Sequence, residues 1–229
     1  LIDSVYKTSD LKTTKPEVKK ADASVTAQTV LNNYIKAIGG EAAVKKVNTI
    51  SIVSSGKHAQ LPAELSFTCK SSNGKKVEEM AMGGSSMMKF LTDGTSANFV
   101  GQGQKIPFDG EYSKTLLNVA HPIAELNLIK NNAILKGIEK FNEKDVYALQ
   151  FGTAVYYYDV VTGLKSGETI KLSLMGQEMP LTTTFSEYKE YAGIKQPSII
   201  GKELQPGMVV NFNVTDIKIN EGVTDEDFK

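Results

Sequence analysis

Few side chains in this 229-residue chain could carry chemistry: two histidines, His58 and His121, and one cysteine, Cys69. A zinc hydrolase centre needs three or four ligands at fixed spacing, and neither H-E-x-x-H nor H-x-x-E-H occurs. His121 and Glu125 stand one helical turn apart, which reads as a surface or capping pair and not as a metal site. Nucleophilic catalysis needs a general base and an oxyanion cradle, and no G-x-S-x-G is present. Cys69 occupies an alternating position in LSFTCKS, the pattern of a buried and unreactive thiol. The glycines of GQGQKIPFDG lack the strand–loop–helix context of a phosphate loop and read as turns. The sequence therefore leads us to expect no enzyme, no metal site and no cofactor.

Two apolar features remain. Methionine recurs at Met80, Met82, Met87, Met88, Met175, Met179 and Met208, and methionine adapts to irregular cores and to promiscuous binding surfaces alike. In VYYYDV, Tyr156 and Tyr158 share one strand face, while Val155 and Tyr157 share the other. That pattern suits ordinary packing or an aromatic wall facing a ligand.

Charge narrows the partners. Basic and acidic residues balance at 26 each, and every base is a lysine. Without arginine there are no bidentate grips on phosphate, and without a basic cluster nucleic acid is not an expected partner. No apolar run approaches the ~18 residues of a membrane span.

The element that must position any site is TAQTVLNNYIKAIGG, residues 26–40. Ala27, Val30, Leu31, Tyr34, Ile35 and Ile38 form one stripe of an α-helix. Thr26 is placed as its N-cap, Val25 and Val30 as a hydrophobic staple, and Gly39-Gly40 as its stop. Such a helix is marginal alone and needs a concave apolar surface to lie in.

The rest of the chain reads as that surface. Strand-like runs at 49–60, 63–71, 75–83, 85–92 and 95–102 are separated by Leu-Pro, Asn-Gly, Gly-Gly and Asp-Gly, the signature of an antiparallel meander. Residues 111–131 break the pattern as one or two helices hinged at His121-Pro122. Strands resume at 133–141, 145–151, 154–160, 168–175, 181–191, 195–204 and 208–220. In the last, Met208, Val210, Phe212 and Val214 share a parity that Ile217 and Ile219 do not, so a bulge is expected near Thr215-Asp216. The expected fold is mainly β: a curved antiparallel sheet of about 11 strands, a half-barrel holding the N-terminal helix and the second helical segment on its concave face. Residues 1–23, lysine-rich and aperiodic, read as a linker or arm, leaving 24–229 as the domain. Starting at Leu1 without an initiator Met or signal-like segment, the sequence reads as a processed protein or a fragment.

VLNNYIKAIGGEAAVKKVNTI, YYYDVVTGLK, FSEYKEYAGIKQPSII and VNFNVTDIKIN together resemble the LolA/LolB-like lipoprotein-carrier fold. They are closest to the carrier-like domains that follow insulinase-family zinc peptidase domains in some Gram-negative bacteria. The resemblance implies a half-barrel with an apolar cavity beneath its helices, in a periplasmic or outer-membrane-facing setting. On that basis the expected function is non-catalytic binding of a lipid, acyl chain or apolar peptide. The alternative is a filled accessory domain of a peptidase or envelope protein. The candidate cavity residues are Tyr34, Ile35, Ile38, Met80, Met82, Leu116, Leu117, Ile123, Leu126 and Met208.

Overall fold

The structure, a computed structural model, describes residues 18–101, 104–108, 110–174, 177–205 and 207–229. Helix α1 (Ala27–Ala37) begins where the sequence places it: the Thr26 side chain accepts a hydrogen bond from the Thr29 N–H at 3.1 Å. Its stripe is fully engaged. Val30, Leu31, Tyr34 and Ile35 are buried, with Ile38 just beyond the last turn. Gly39 follows at φ +143°, where a Cβ would stand 2.5 Å from the Gly193 carbonyl oxygen. The bare glycine lets the helix end rest on a hairpin turn, and the Lys195 N–H caps the Ile38 carbonyl at 2.8 Å. A short helix, α2 (Glu41–Val44), completes the entry to the sheet.

The strands are β1 (Thr49–Gly56), β2 (Leu65–Ser72), β3 (Lys75–Met82), β4 (Ser85–Thr92), β5 (Ala97–Gly101) and β6 (Gln104–Pro107). After helices α3 (Gly110–Val119) and α4 (Glu125–Lys130) come β7 (Ile134–Phe141), β8 (Lys144–Phe151), β9 (Ala154–Asp159) and β10 (Lys165–Leu174). The series ends with β11 (Gln177–Tyr191), β12 (Ile194–Gln205) and β13 (Met208–Ile219). They form one open antiparallel sheet of 13 strands in the order β6-β5-β4-β3-β2-β1-β13-β12-β11-β10-β9-β8-β7. The expected half-barrel class holds, with more strands than the roughly eleven anticipated. One addition is β6, hidden in the GQGQKIPF stretch that reads as turns; it pairs with β5 through Asn98↔Pro107 to Gly101↔Gln104.

Hairpin chemistry explains the meander. Gly83-Gly84, Asn142-Glu143 and Ala192-Gly193 each place two successive residues at positive φ, the two-residue turn that matches the twist of its flanking strands. The expected bulge is present. Val53 pairs with Asp216 but Ser54 pairs with Val214, so Thr215 is the extra residue and the inward face of β13 is restored beyond it.

Topology then dictates where the helices go. Strands β6 and β7 are the two outermost strands of the sheet, so the chain between them must cross from one rim to the other. Helices α3 and α4 make that crossing, separated by a non-helical break at His121-Pro122 as expected. Residues of α1, α4 and the inward faces of β1, β2, β3, β8, β9, β12 and β13 share one hydrophobic core. Tyr34 of α1 meets Tyr158 of β9 edge to face, ring centroids 5.5 Å apart.

Residues 1–17 of the expected arm lie outside the described residues. Within its remainder, Lys19 exchanges two backbone hydrogen bonds of 2.7 Å with Ile138 on edge strand β7. Gly137 makes room for it, since a Cβ there would meet the Lys19 oxygen at 2.5 Å.

Candidate functional site

Between the crossing helices and the sheet lies a cavity of about 210 Å³. Its apolar wall comes from alternate positions of several strands: Ile52, Phe67, Met80, Met88, Ile170, Leu172 and Ile200, with Leu116, Val119 and Pro122 from the helical side. Period-two alternation is what aims these side chains at one space. Of the ten residues expected to line a cavity, Tyr34, Met80 and Leu116 do so. Ile35, Ile38 and Ile123 are instead buried in the core. Met82 and Leu126 pack against that core, and Leu117 packs against the Ala97–Phe108–Leu172 cluster without lining the cavity itself. Met208 is buried, away from the cavity wall. Among the methionines, Met87 is exposed, and the placement of Met175 and of the Met179 side chain lies outside what the structure describes.

The cavity wall also carries what the sequence reasoning missed, a run of ion pairs, buried at Lys165 and Glu125 and half-buried at the others. On β3, Lys76 lies 2.6 Å from Glu78, whose other oxygen lies 3.2 Å from Lys202 of β12. On β10, Lys165 lies 2.6 Å from Glu168 and 3.5 Å from Glu125 of α4. Glu125 Oε1 also accepts from the Tyr158 hydroxyl at 3.0 Å. The two halves feel each other electrostatically, because Glu168 favours the charged form of Lys76.

Burial works against every charge here, and the partners overcome it. Lys202 and Lys76 hold the Glu78 carboxyl well below the usual carboxylate range. Lys165 and Lys76 do the same for Glu168. In return, Glu78 keeps Lys76 protonated beyond its ordinary range, and Glu168 with Glu125 does so for Lys165. Aromatic faces help: the Lys202 ammonium lies 4.3 Å from the Phe67 ring centre, and that of Lys165 lies 4.7 Å from Tyr156 and 5.3 Å from Phe185.

Four tyrosines surround these groups, and Tyr34, Tyr156 and Tyr188 line the cavity. Burial raises the pKa of Tyr34, Tyr156, Tyr158 and Tyr188 well above the phenol value, so all four are neutral hydroxyls. Tyr188 donates to the Lys165 carbonyl at 2.9 Å. The Tyr156 hydroxyl is fully buried and has no hydrogen-bond partner among the described residues. Cys69 is partly buried on the cavity wall, and burial pushes its thiol up to about 11.

The expected surface pair of His121 and Glu125 is corrected. Glu125 is only 3% exposed and serves Lys165 and Tyr158, because the α4 crossing turns it toward the sheet. His121 lines the cavity, half-buried, its Nδ1 accepting from the Ile123 N–H at 3.0 Å. Burial lowers its pKa. Among the described residues, no three His, Cys, Asp or Glu side chains come together as a metal-binding group. No described helix is long and apolar enough to cross a membrane.

A signal for the ion pairs was present in the sequence. Lys76 and Glu78 share the parity of Met80, Glu168 that of Ile170 and Leu172, and Lys202 that of Ile200. A charge at an inward strand position is expensive unless it is paired, so it marks a site.

No protein-family model and no curated protein matches this sequence. Solved structures do match its fold. A LolA superfamily protein from Nitrosomonas europaea superposes with a TM-score of 0.52 at 15% identity, over 90% of this chain and 98% of its own. A putative outer membrane lipoprotein-sorting protein domain from Vibrio parahaemolyticus gives 0.50 at 17% identity, over 88% and 95%. A DUF1329 family protein from Desulfovibrio piger ATCC 29098 gives 0.50 at 13% identity, over 88% and 96%. At these identities the likeness concerns architecture, and on that evidence the chain has a LolA-like fold.

Proposed function

We propose that this domain is a non-catalytic binding module whose half-barrel holds a lipid, acyl chain or slender apolar peptide on the periplasmic side of the cell envelope. The single observation that carries this reading is the cavity beneath the α3–α4 crossing, walled by apolar side chains from both the sheet and the helices. The architecture it shares with LolA-like proteins supports the reading and its envelope setting. At about 210 Å³ the cavity is smaller than the ~300–1,000 Å³ of drug-sized sites, which favours one slim chain over a bulky ligand. Its charged groups are engaged with one another, so they suit recognition better than proton transfer or nucleophilic attack.

Native mass spectrometry of the purified protein, together with titration by the neutral dye Nile red, tests this. A bound acyl mass or saturable dye binding is expected, and Leu116→Trp, which fills the cavity from the helical side, weakens the dye at least severalfold. No bound mass and no dye binding, with Leu116→Trp destabilised by about 1–3 kcal/mol from overpacking, would leave a filled accessory domain instead.

A further inference from the structure

The polar end of the cavity defines the headgroup of the ligand, an inference that rests on the binding reading above. Three lysines and three glutamates are paired on the cavity wall, Lys165 and Glu125 buried and Lys76, Lys202, Glu78 and Glu168 half-buried. These six charges balance, and Glu203, which also borders the cavity, accepts from the Gly207 N–H at 3.0 Å, so a ligand carrying net charge would add an uncompensated charge to a largely desolvated site, which is costly. A fatty carboxylate and an alkylammonium are both disfavoured on this ground.

The set is not saturated in hydrogen bonds. Each ammonium has three donors and each carboxylate about four acceptor positions, more than the described pairs use. Tyr156 lines the cavity, and its enclosed hydroxyl, without a partner among the described residues, has a donor and an acceptor to give. The Lys165 ammonium lies over the Tyr156 ring, 4.7 Å from its centre. A head that both donates and accepts, without charge, answers all of these groups together. We infer that the cavity takes a neutral single-chain amphiphile with hydroxyl and ester oxygens in its head, the monoacylglycerol class, with the head at Tyr156 and the Lys165–Glu168 pair.

The test compares four probes of equal chain length, monolaurin, laurate, dodecylamine and dodecane, by Nile red displacement and thermal shift on the whole protein. Monolaurin is expected to bind about tenfold more tightly than dodecane, the worth of one good hydrogen bond at the upper end. Laurate and dodecylamine are expected to bind more weakly than monolaurin. Tyr156→Phe removes a hydroxyl that bonds nothing among the described residues, so the variant folds and keeps its melting temperature, while the advantage of monolaurin over dodecane falls severalfold. If dodecane binds but monolaurin binds no better, or laurate binds best, the headgroup assignment is wrong and the binding module stands. If none of the four binds, the binding reading itself fails and the headgroup assignment goes with it.

Discussion

Lys165 on β10 and Glu125 on α4 form a buried ion pair, 3.5 Å apart, with side chains 9% and 4% exposed. It ties the helical crossing to the inside of the sheet. Lys165 has a second partner, Glu168 at 2.6 Å, whereas Glu125 has only Lys165 and the Tyr158 hydroxyl among the described residues. The two ends of this pair are therefore unequal. Lys165→Met strands two carboxylates in the interior and is expected to cost about 3–5 kcal/mol. Glu125→Gln keeps the Tyr158 bond and leaves Lys165 paired to Glu168, so it should cost clearly less. Urea unfolding of both variants checks the order, and equal losses would contradict this account of the pair.

The stripe of α1 makes a sharper contrast. Ile35 is 5% exposed in the central core, and Lys36 beside it points to solvent. Ile35→Asp places an unpartnered charge in that core and should leave the domain unfolded at room temperature. Lys36→Asp puts the wrong charge in the last helical turn and should cost about 0.3–1 kcal/mol. Circular dichroism melts distinguish them; similar melting temperatures would remove α1 from the centre of the fold.

Gly39→Ala tests the seat of the helix on the β11–β12 turn. The residue is at φ +143°, and the new methyl would stand 2.5 Å from the Gly193 oxygen. Backbone strain alone costs about 1–3 kcal/mol, and the contact adds to it. A variant as stable as the parent would mean the helix end and the turn move apart freely.

The ion pairs also set a pH window. Glu78 and Glu168 have pKa values lowered by their lysines from the ordinary 4.5, so their stabilisation is complete above that pH and is lost as pH falls below it. Lys76 and Lys165 have pKa values raised from 10.5, so theirs is complete below that pH and is lost as pH rises above it. Cys69 narrows the alkaline side: its thiol shifts from 9.0 to about 11, so the folded state loses stability as pH climbs between those values. Urea midpoints from pH 3 to 11 should show a plateau with both flanks falling. Alkylation of native Cys69 should stay slow until the pH nears 11. A midpoint unchanged between pH 7 and pH 3 would contradict the carboxylate assignment.

Much of this architecture was legible in the sequence, because periodicity reports directly on which face is buried. The α1 stripe, its Thr26 cap, the helical break at His121-Pro122 and the bulge at Thr215 all follow from spacing alone. The site was less legible. Lys76, Lys165 and Lys202 lie on strands far apart in the chain, so only the sheet's curvature brings their charges together. Lys76, Glu168 and Lys202 share the inward parity of Met80, Ile170 and Ile200, whereas Lys165 has the opposite parity to Ile170 and lies at a register shift between Lys165 and Gly167 that spacing alone does not reveal. Leu116 and Leu117 show the limit of spacing: both were assigned to the cavity and both pack against the Ala97–Phe108–Leu172 cluster, but only Leu116 reaches the cavity wall.

Strand β1 lies against β13 in the middle of the sheet, and this pairing bears on how the molecule is assembled. The Asn220 side chain fastens the join, accepting from the Asn48 N–H at 2.7 Å and donating to the Lys46 carbonyl at 2.9 Å. During synthesis, β1 through β6 emerge as a half-sheet whose inner edge, β1, finds no strand until β13 follows. Contacts so distant in sequence close slowly. For that interval the nascent chain carries a bare strand edge of the kind that recruits other chains. Folding yield should therefore depend on how quickly the second half of the chain arrives, independently of how stable the finished sheet is.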